Sequence, residues 1–151
     1  MTTSERTIRP RRSLLFVPGL RPDRYHKALE TGADIVCVDM EDAVARGRKD
    51  EGRALTLPLF RESSHPQVEK MVRINGLSTP DGLKDLSALI ELEHPPQAIM
   101  IPKVRSAEEI HLIETLLSAG PAREIRFCVI IETNQGLERA IKIAKASPRI
   151  D

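Results

Sequence analysis

The sequence predicts an α/β fold of parallel strands joined by helical crossovers, and three observations carry that expectation. Five short apolar runs are spaced along the chain, each closed by Pro, Gly, Asp, Asn or Glu. Amphipathic helical patterns lie between them. The runs are continuous rather than alternating, which marks strands covered on both faces. Strand and helix in alternation require parallel pairing with right-handed crossovers.

The runs are Leu14–Val17, Ile35–Val38, Met71–Ile74, Ala98–Ile101 and Phe127–Ile131. Between the first two, Tyr25, Ala28 and Leu29 share a helical face, and Gly32 stands where a C-cap belongs. From Arg48 to Phe60 no single element is read, because Pro58 would break a helix there. After Pro80-Asp81, Leu83, Leu86, Leu89 and Ile90 form a stripe. Ser106-Ala107-Glu108-Glu109 reads as a capping box, with Ile110, Ile113 and Leu117 beyond it. Leu137, Ala140, Ile141 and Ala144 form the last stripe.

Two architectures accommodate this pattern. An open doubly wound sheet of five strands is one. The other is part of a (β/α)₈ barrel, because strand starts about 28 residues apart repeat to roughly 225–250 residues over eight units. Spacing alone does not separate them.

Composition narrows the function. The 151 residues carry Lys+Arg 23 against Asp+Glu 22, a net charge of +1, which gives no electrostatic footprint for nucleic acid or an anionic membrane. Aromatics are 3% with no Trp, too few for base stacking. No apolar run reaches membrane-spanning length. Cys37 and Cys128 both lie in apolar runs and read as small core residues. Residues 1–12 are polar and basic without an apolar h-region, so a flexible N-terminal segment and a cytoplasmic location are expected. No histidine shows metal-ligand spacing. Dinucleotide, Walker, zinc-protease and serine-hydrolase motifs are all missing.

In both architectures the chemistry gathers beyond the carboxyl ends of the strands. There the sequence places Pro18-Gly19-Leu20-Arg21, Asp39-Met40-Glu41-Asp42, Arg73 with Asn75, Pro102-Lys103, and Glu132-Thr133-Asn134-Gln135-Gly136. Carboxylates beside an Arg, a Lys and an Asn suit a divalent cation with an anionic substrate. Arg73 is the sharpest signal, since a charge inside a strand run is costly unless paired or at the mouth of a site. Asp42 and Glu132 also read as helix-start residues, and Lys103 as a solvated loop lysine.

These residues carry a resemblance. Arg12-Ser13-Leu14-Leu15-Phe16-Val17-Pro18-Gly19, Lys27-Ala28 and Gly32-Ala33-Asp34 resemble the opening of the citrate lyase β subunit family, which includes malyl-CoA lyases and lies in the aldolase/citrate lyase superfamily. Asp39-Met40-Glu41-Asp42-Ala43-Val44 is similar to its second-strand motif, with Met40 where Leu is usual. Lys49 and Arg53, Val72-Arg73-Ile74-Asn75, Pro102-Lys103-Val104, and Glu132-Thr133 with Gly136 follow in the family's order from about Arg12 onward.

The resemblance implies a (β/α)₈ TIM barrel, of which this chain covers about the first five βα units. Residues 13–151 would be the N-terminal part of one barrel domain, stopping before strand six. It implies a Mg²⁺-dependent lyase that cleaves or forms a carbon–carbon bond between an acetyl thioester and a 2-oxo acid. By position, Glu132 would bind Mg²⁺, with the second metal carboxylate beyond Asp151. Arg73 would hold substrate and stabilise the developing enolate oxygen. Phe16, Arg21 and Lys27 would contact the CoA or acyl-carrier portion. Asp39, Glu41 and Asp42 would hold the metal's waters or orient its ligands. Family members are commonly trimers or hexamers. A malyl-thioester hydrolase, a short non-catalytic thioester-binding paralogue and a self-contained five-stranded domain stay open beside the lyase.

Overall fold

The computed structural model describes residues 10–61 and 64–151. Five strands form one sheet: β1 (Leu14–Pro18), β2 (Ile35–Asp39), β3 (Glu69–Arg73), β4 (Ala98–Ile101) and β5 (Arg126–Val129). They are parallel, in spatial order β1-β2-β3-β4-β5. This order decides between the two architectures. A doubly wound sheet reverses direction at a switch point, whereas barrel units succeed one another. The progression continues past β5, where Ile150 makes a parallel bridge to Phe127.

Both faces of the sheet are apolar, which explains the unbroken runs. One face carries Val36, Val38, Val72, Ile99, Ile101 and Phe127 against the helices. The other carries Ile35, Cys37, Met71, Ala98 and Met100, joined by Leu14, Cys128 and Ile130. Burial pushes the Cys37 thiol far above its ordinary pKa, as suits a packing residue.

Among the described residues six α-helices follow the strands: α1 (Tyr25–Leu29), α2 (Lys49–Thr56), α3 (Pro80–Ile90), α4 (Ala107–Leu116), α5 (Asn134–Glu138) and α6 (Ala140–Ala144). In the segment where the sequence pattern assigns no single element, α2 ends just before Pro58, and the chain tightens into a 3₁₀ turn over Leu57–Arg61. Helices α3 and α5 start with the same device. Thr79 accepts from the Gly82 N–H at 3.1 Å, and Thr133 from the Gly136 N–H at 2.9 Å. Each glycine is pressed onto a neighbouring loop. A Cβ would lie 2.3 Å from the Gly76 carbonyl oxygen at Gly82 and 2.4 Å from that of Val104 at Gly136.

Three local expectations are corrected. In α3, Leu86 and Leu89 are buried, but Leu83 and Ile90 are exposed; Gly82 and Asp85 take the inward positions. The Ser106 hydroxyl makes no cap bond to the backbone of α4. Glu109 reaches back instead to the Arg105 N–H at 3.0 Å, one residue before the cap. The last stripe divides at Arg139, between α5 and α6. Ile143 packs inward, while Leu137 and Ile141 are 70% and 73% exposed.

The flexible segment expected over residues 1–12 falls largely outside the described residues. Its last two members are tethered: Arg11 donates to Glu69 at 2.6 and 2.7 Å, and Arg12 pairs with Asp34 at 2.9 Å.

Candidate functional site

The carboxyl ends of β2 to β5 bring the predicted rim residues together. Asp39 ends β2 directly opposite Arg73 at the end of β3. The guanidinium donates from Nε and NH2 to the two Asp39 oxygens at 2.8 and 2.6 Å. The same oxygens accept from the backbone N–H groups of Glu41 at 2.8 Å and Ala43 at 3.0 Å. Asp39 is therefore saturated, and its part is to fix Arg73 and the turn after β2. Burial raises the Asp39 pKa, but the Arg73 hydrogen bonds, the backbone donors and the Arg73 charge outweigh it, and the net shift is downward. Arg73, hydrogen-bonded to Asp39 and facing Glu41 and Asp42, is held even more firmly protonated than usual.

The Phe16 ring lies with its centroid 5.1 Å from the Arg73 guanidinium carbon. That stacking leaves the ring half-exposed and fixes the guanidinium plane from a third direction. The remaining nitrogen, NH1, is 3.5 Å from Glu41 Oε2 and 3.7 Å from Asp42 Oδ2. Glu41 is almost fully buried, and Oε2 has no hydrogen-bond partner. Its other oxygen accepts from Lys103 Nζ at 2.6 Å. That bond raises the lysine's pKa, so the ammonium stays charged at neutral pH.

Glu132 follows β5 and is exposed. Its Oε1 accepts from the Lys103 backbone N–H at 3.0 Å, and its Oε2 takes no bond from the described residues. Arg21 and Lys27 lie apart from this cluster. Arg21 pairs with Asp23 at 2.7 and 2.8 Å on the surface, and Lys27 is exposed on α1.

A second tier was not evident from the sequence. Asp85 on α3 is fully buried and accepts from the Asn75 N–H and side-chain amide at 2.7 Å each. It also accepts from Arg53 Nε at 2.7 Å. Lys49 donates to the Met40 carbonyl at 3.0 Å and to that of Glu41. Lys49, Arg53 and Asp85 thus fix the loops after β2 and β3. The readable signal was an acidic residue set amid the leucines of α3. Beside this tier a cavity of about 640 Å³ opens between Glu41, Arg46, Asn75, Thr79 and Lys103.

The donor set suits a hard cation. Among the described residues, no three His, Cys, Asp or Glu side chains converge on one point. Glu132 keeps one oxygen without a bond from the described residues, and Glu41 Oε2 has no hydrogen-bond partner and faces Arg73 at 3.5 Å. Mg²⁺ needs few protein carboxylates, because it keeps several waters.

Sequential parallel strands with a polar rim of Arg, Lys and carboxylates define a barrel-type enzyme architecture. The chain belongs to the HpcH/HpaI aldolase/citrate lyase family, whose model matches residues 12–151. It is 36% identical over 148 residues to the L-malyl-CoA/β-methylmalyl-CoA lyase of Cereibacter sphaeroides, covering 94% of this chain and 46% of that protein. It is 35% identical over 141 residues to a (3S)-malyl-CoA thioesterase of Cereibacter sphaeroides, covering 93% of this chain and 47% of the relative. The fold matches the citrate lyase β subunit of Mycobacterium tuberculosis complexed with oxaloacetate and magnesium. That match has a TM-score of 0.69 and 32% identity, over 93% of this chain and 56% of the other. The chain spans about half the length of the relatives it matches.

Proposed function

We propose that residues 13–151 are the N-terminal part of a single barrel domain in a Mg²⁺-dependent carbon–carbon lyase acting on a citryl- or malyl-type thioester. The observation that carries this reading is the fixed guanidinium of Arg73 on the same rim as the half-free carboxylate of Glu132. Asp39 and Phe16 hold the guanidinium before substrate arrives. Little reorganisation is then needed when charge develops on a thioester oxygen nearby. Arg73 stays protonated throughout, so it acts as a donor and not as an acid. Glu132 and a second carboxylate beyond Asp151 would hold the metal, and Glu41 would accept from a metal-bound water. When bound, Mg²⁺ supplies Lewis-acid polarisation of the 2-oxo-acid carbonyl. In cleavage the substrate hydroxyl would give up its proton as it becomes the 2-oxo-acid carbonyl. The electron pair of the breaking carbon–carbon bond would pass to the acetyl thioester, whose enolate charge Arg73 would stabilise. The enolate would then take up a proton at carbon.

Phe16, Arg21 and Lys27 would take the CoA or acyl-carrier portion. Of these, Phe16 already touches the cluster. We place the protein in the cytoplasm as a trimer or hexamer; no helix among the described residues is long and apolar enough to cross a membrane.

A hydrolase reading is favoured by the thioesterase relative, whose identity nearly equals that of the lyase. One assay separates them. The protein from its full reading frame is supplied with Mg²⁺ and malyl-CoA, and both thiol and 2-oxo acid are followed. Acetyl-CoA with glyoxylate released together supports the lyase. Free thiol without a 2-oxo acid supports the hydrolase.

A further inference from the structure

Lys103 holds an unusual place at the rim. It has φ 57°, and His65 is the other non-glycine residue with positive φ among the described residues. L side chains rarely adopt this conformation, and Gly or Asn enters it more easily. A residue kept there against its preference has a use for its side chain. Lys103 has two uses. Its backbone N–H, turned by the left-handed conformation after Pro102, donates to Glu132 Oε1 at 3.0 Å. Its ammonium donates to Glu41 Oε1 at 2.6 Å and lies 3.7 Å from Asp42. Each contact occupies one oxygen of a carboxylate; the other oxygen of Glu132 takes no bond from the described residues, and that of Glu41 faces Arg73 at 3.5 Å without a hydrogen bond.

We propose that Lys103 is a positioning residue that sets both rim carboxylates, Glu132 through its backbone N–H and Glu41 through its ammonium. This rests on the lyase reading above and adds to it a single residue that couples two carboxylates from different strands. The exposed Glu132 has no other tether among the described residues. A lysine serving only the turn would be replaced at no loss by glycine, which favours the same backbone.

The test uses the protein from its full reading frame, with Mn²⁺ as a spectroscopic stand-in for Mg²⁺. Lys103→Gly keeps the left-handed turn and its N–H but removes the ammonium. Relief of the left-handed strain opposes the loss of Glu41's partner, so its thermal midpoint should move little; its Mn²⁺ affinity should stay within about threefold, while kcat falls by about tenfold or more. Lys103→Arg should recover part of that kcat. Lys103→Val disfavours the left-handed conformation and should weaken Mn²⁺ by about 10–100-fold, read by electron paramagnetic resonance. If the valine variant does not fold, hydrogen exchange tests the same bond, because Glu132→Ala removes the acceptor and should speed exchange of the Lys103 amide.

Unchanged kcat in Lys103→Gly overturns the ammonium's role. Unchanged Mn²⁺ affinity in folded Lys103→Val, or unchanged Lys103 amide exchange in Glu132→Ala, overturns the N–H's role. The underlying reading has its own control: wild-type Mn²⁺ affinity in Glu132→Gln overturns the metal assignment and the proposal with it. Loss of Mn²⁺ in Glu132→Gln but not in Lys103→Val overturns the proposal alone.

Discussion

The two ends of the sheet are both built from arginines and carboxylates, yet they use them in opposite ways. At the base, where the strands begin, Arg11 donates to both oxygens of Glu69 and reaches Asp151 at 2.9 Å. Arg126 donates to the same Asp151, with its Nε at 3.0 Å. Nearby, Arg149 donates to the carbonyls of Ile125, Ala122 and Leu117 and stacks over Phe127. These charges are consumed by one another and by the backbone. At the rim, only Asp39 is saturated. Glu41 and Glu132 each keep an oxygen in reserve, and Lys103 sits in a disfavoured conformation. Buried polar groups are normally satisfied, yet each end leaves one open, Glu41 Oε2 at the rim and His65 Nδ1 just before β3 at the base; the rim differs in gathering its open oxygen beside an arginine, a lysine and a second carboxylate. Asp151 belongs to the base, which removes it from any role as the second metal carboxylate.

The contrast breaks most sharply through activity. Glu132→Ala should abolish measurable turnover while leaving the unfolding midpoint nearly unchanged, because the side chain is exposed. Arg73→Ala should cost at least about 10²–10³ in rate and also destabilise the fold, since it strips Asp39 of its partner. Wild-type rates from either would end the assignment of the rim.

Next in size is the second tier. Asp85→Ala leaves three buried donors without an acceptor and should cost about 3–5 kcal/mol in urea unfolding. A loss below about 1 kcal/mol would show that Arg53 and Asn75 find other partners.

The base should answer in stability alone. Glu69→Gln weakens a charge-assisted pair and should cost about 1–2 kcal/mol with kcat unchanged. A fall in kcat without loss of stability would blur the distinction between the two ends.

The mildest probe is pH. The folded-state pKa of Asp39 lies below its unfolded value, so its contribution is complete above the ordinary carboxylate range. It is lost as pH falls below about 4. Urea midpoints for wild type and Asp39→Asn should converge as the solution is acidified. Parallel curves would mean that Asp39 contributes nothing through its charge.

How much of this was written in the sequence follows from the range of each interaction. The strands were legible because a strand covered on both faces must be apolar at every position, as Ile35–Val38 shows. The rim was legible because strand ends in such folds point one way, so Asp39, Arg73, Lys103 and Glu132 could be grouped without knowing a distance. The supporting pairs were not legible. Arg53 meets Asp85 across 32 residues, Arg11 meets Glu69 across 58 and Asp151 across 140. No local pattern encodes such partners. The stripes failed where a polar demand outranked apolar periodicity. Asp85 turned α3 toward Asn75, and the inward residue of the last stripe proved to be Ile143 rather than Leu137 or Ile141.

The monotonic order of the strands also bears on synthesis. Every strand pairs with the one made immediately before it, and Ile150 already docks beside Phe127 in the same sense. Among the described strands, each pairing forms with a neighbour that has already emerged from the ribosome. The nascent chain can therefore add one strand and its covering helix at a time, each new unit shielding the edge left by the last.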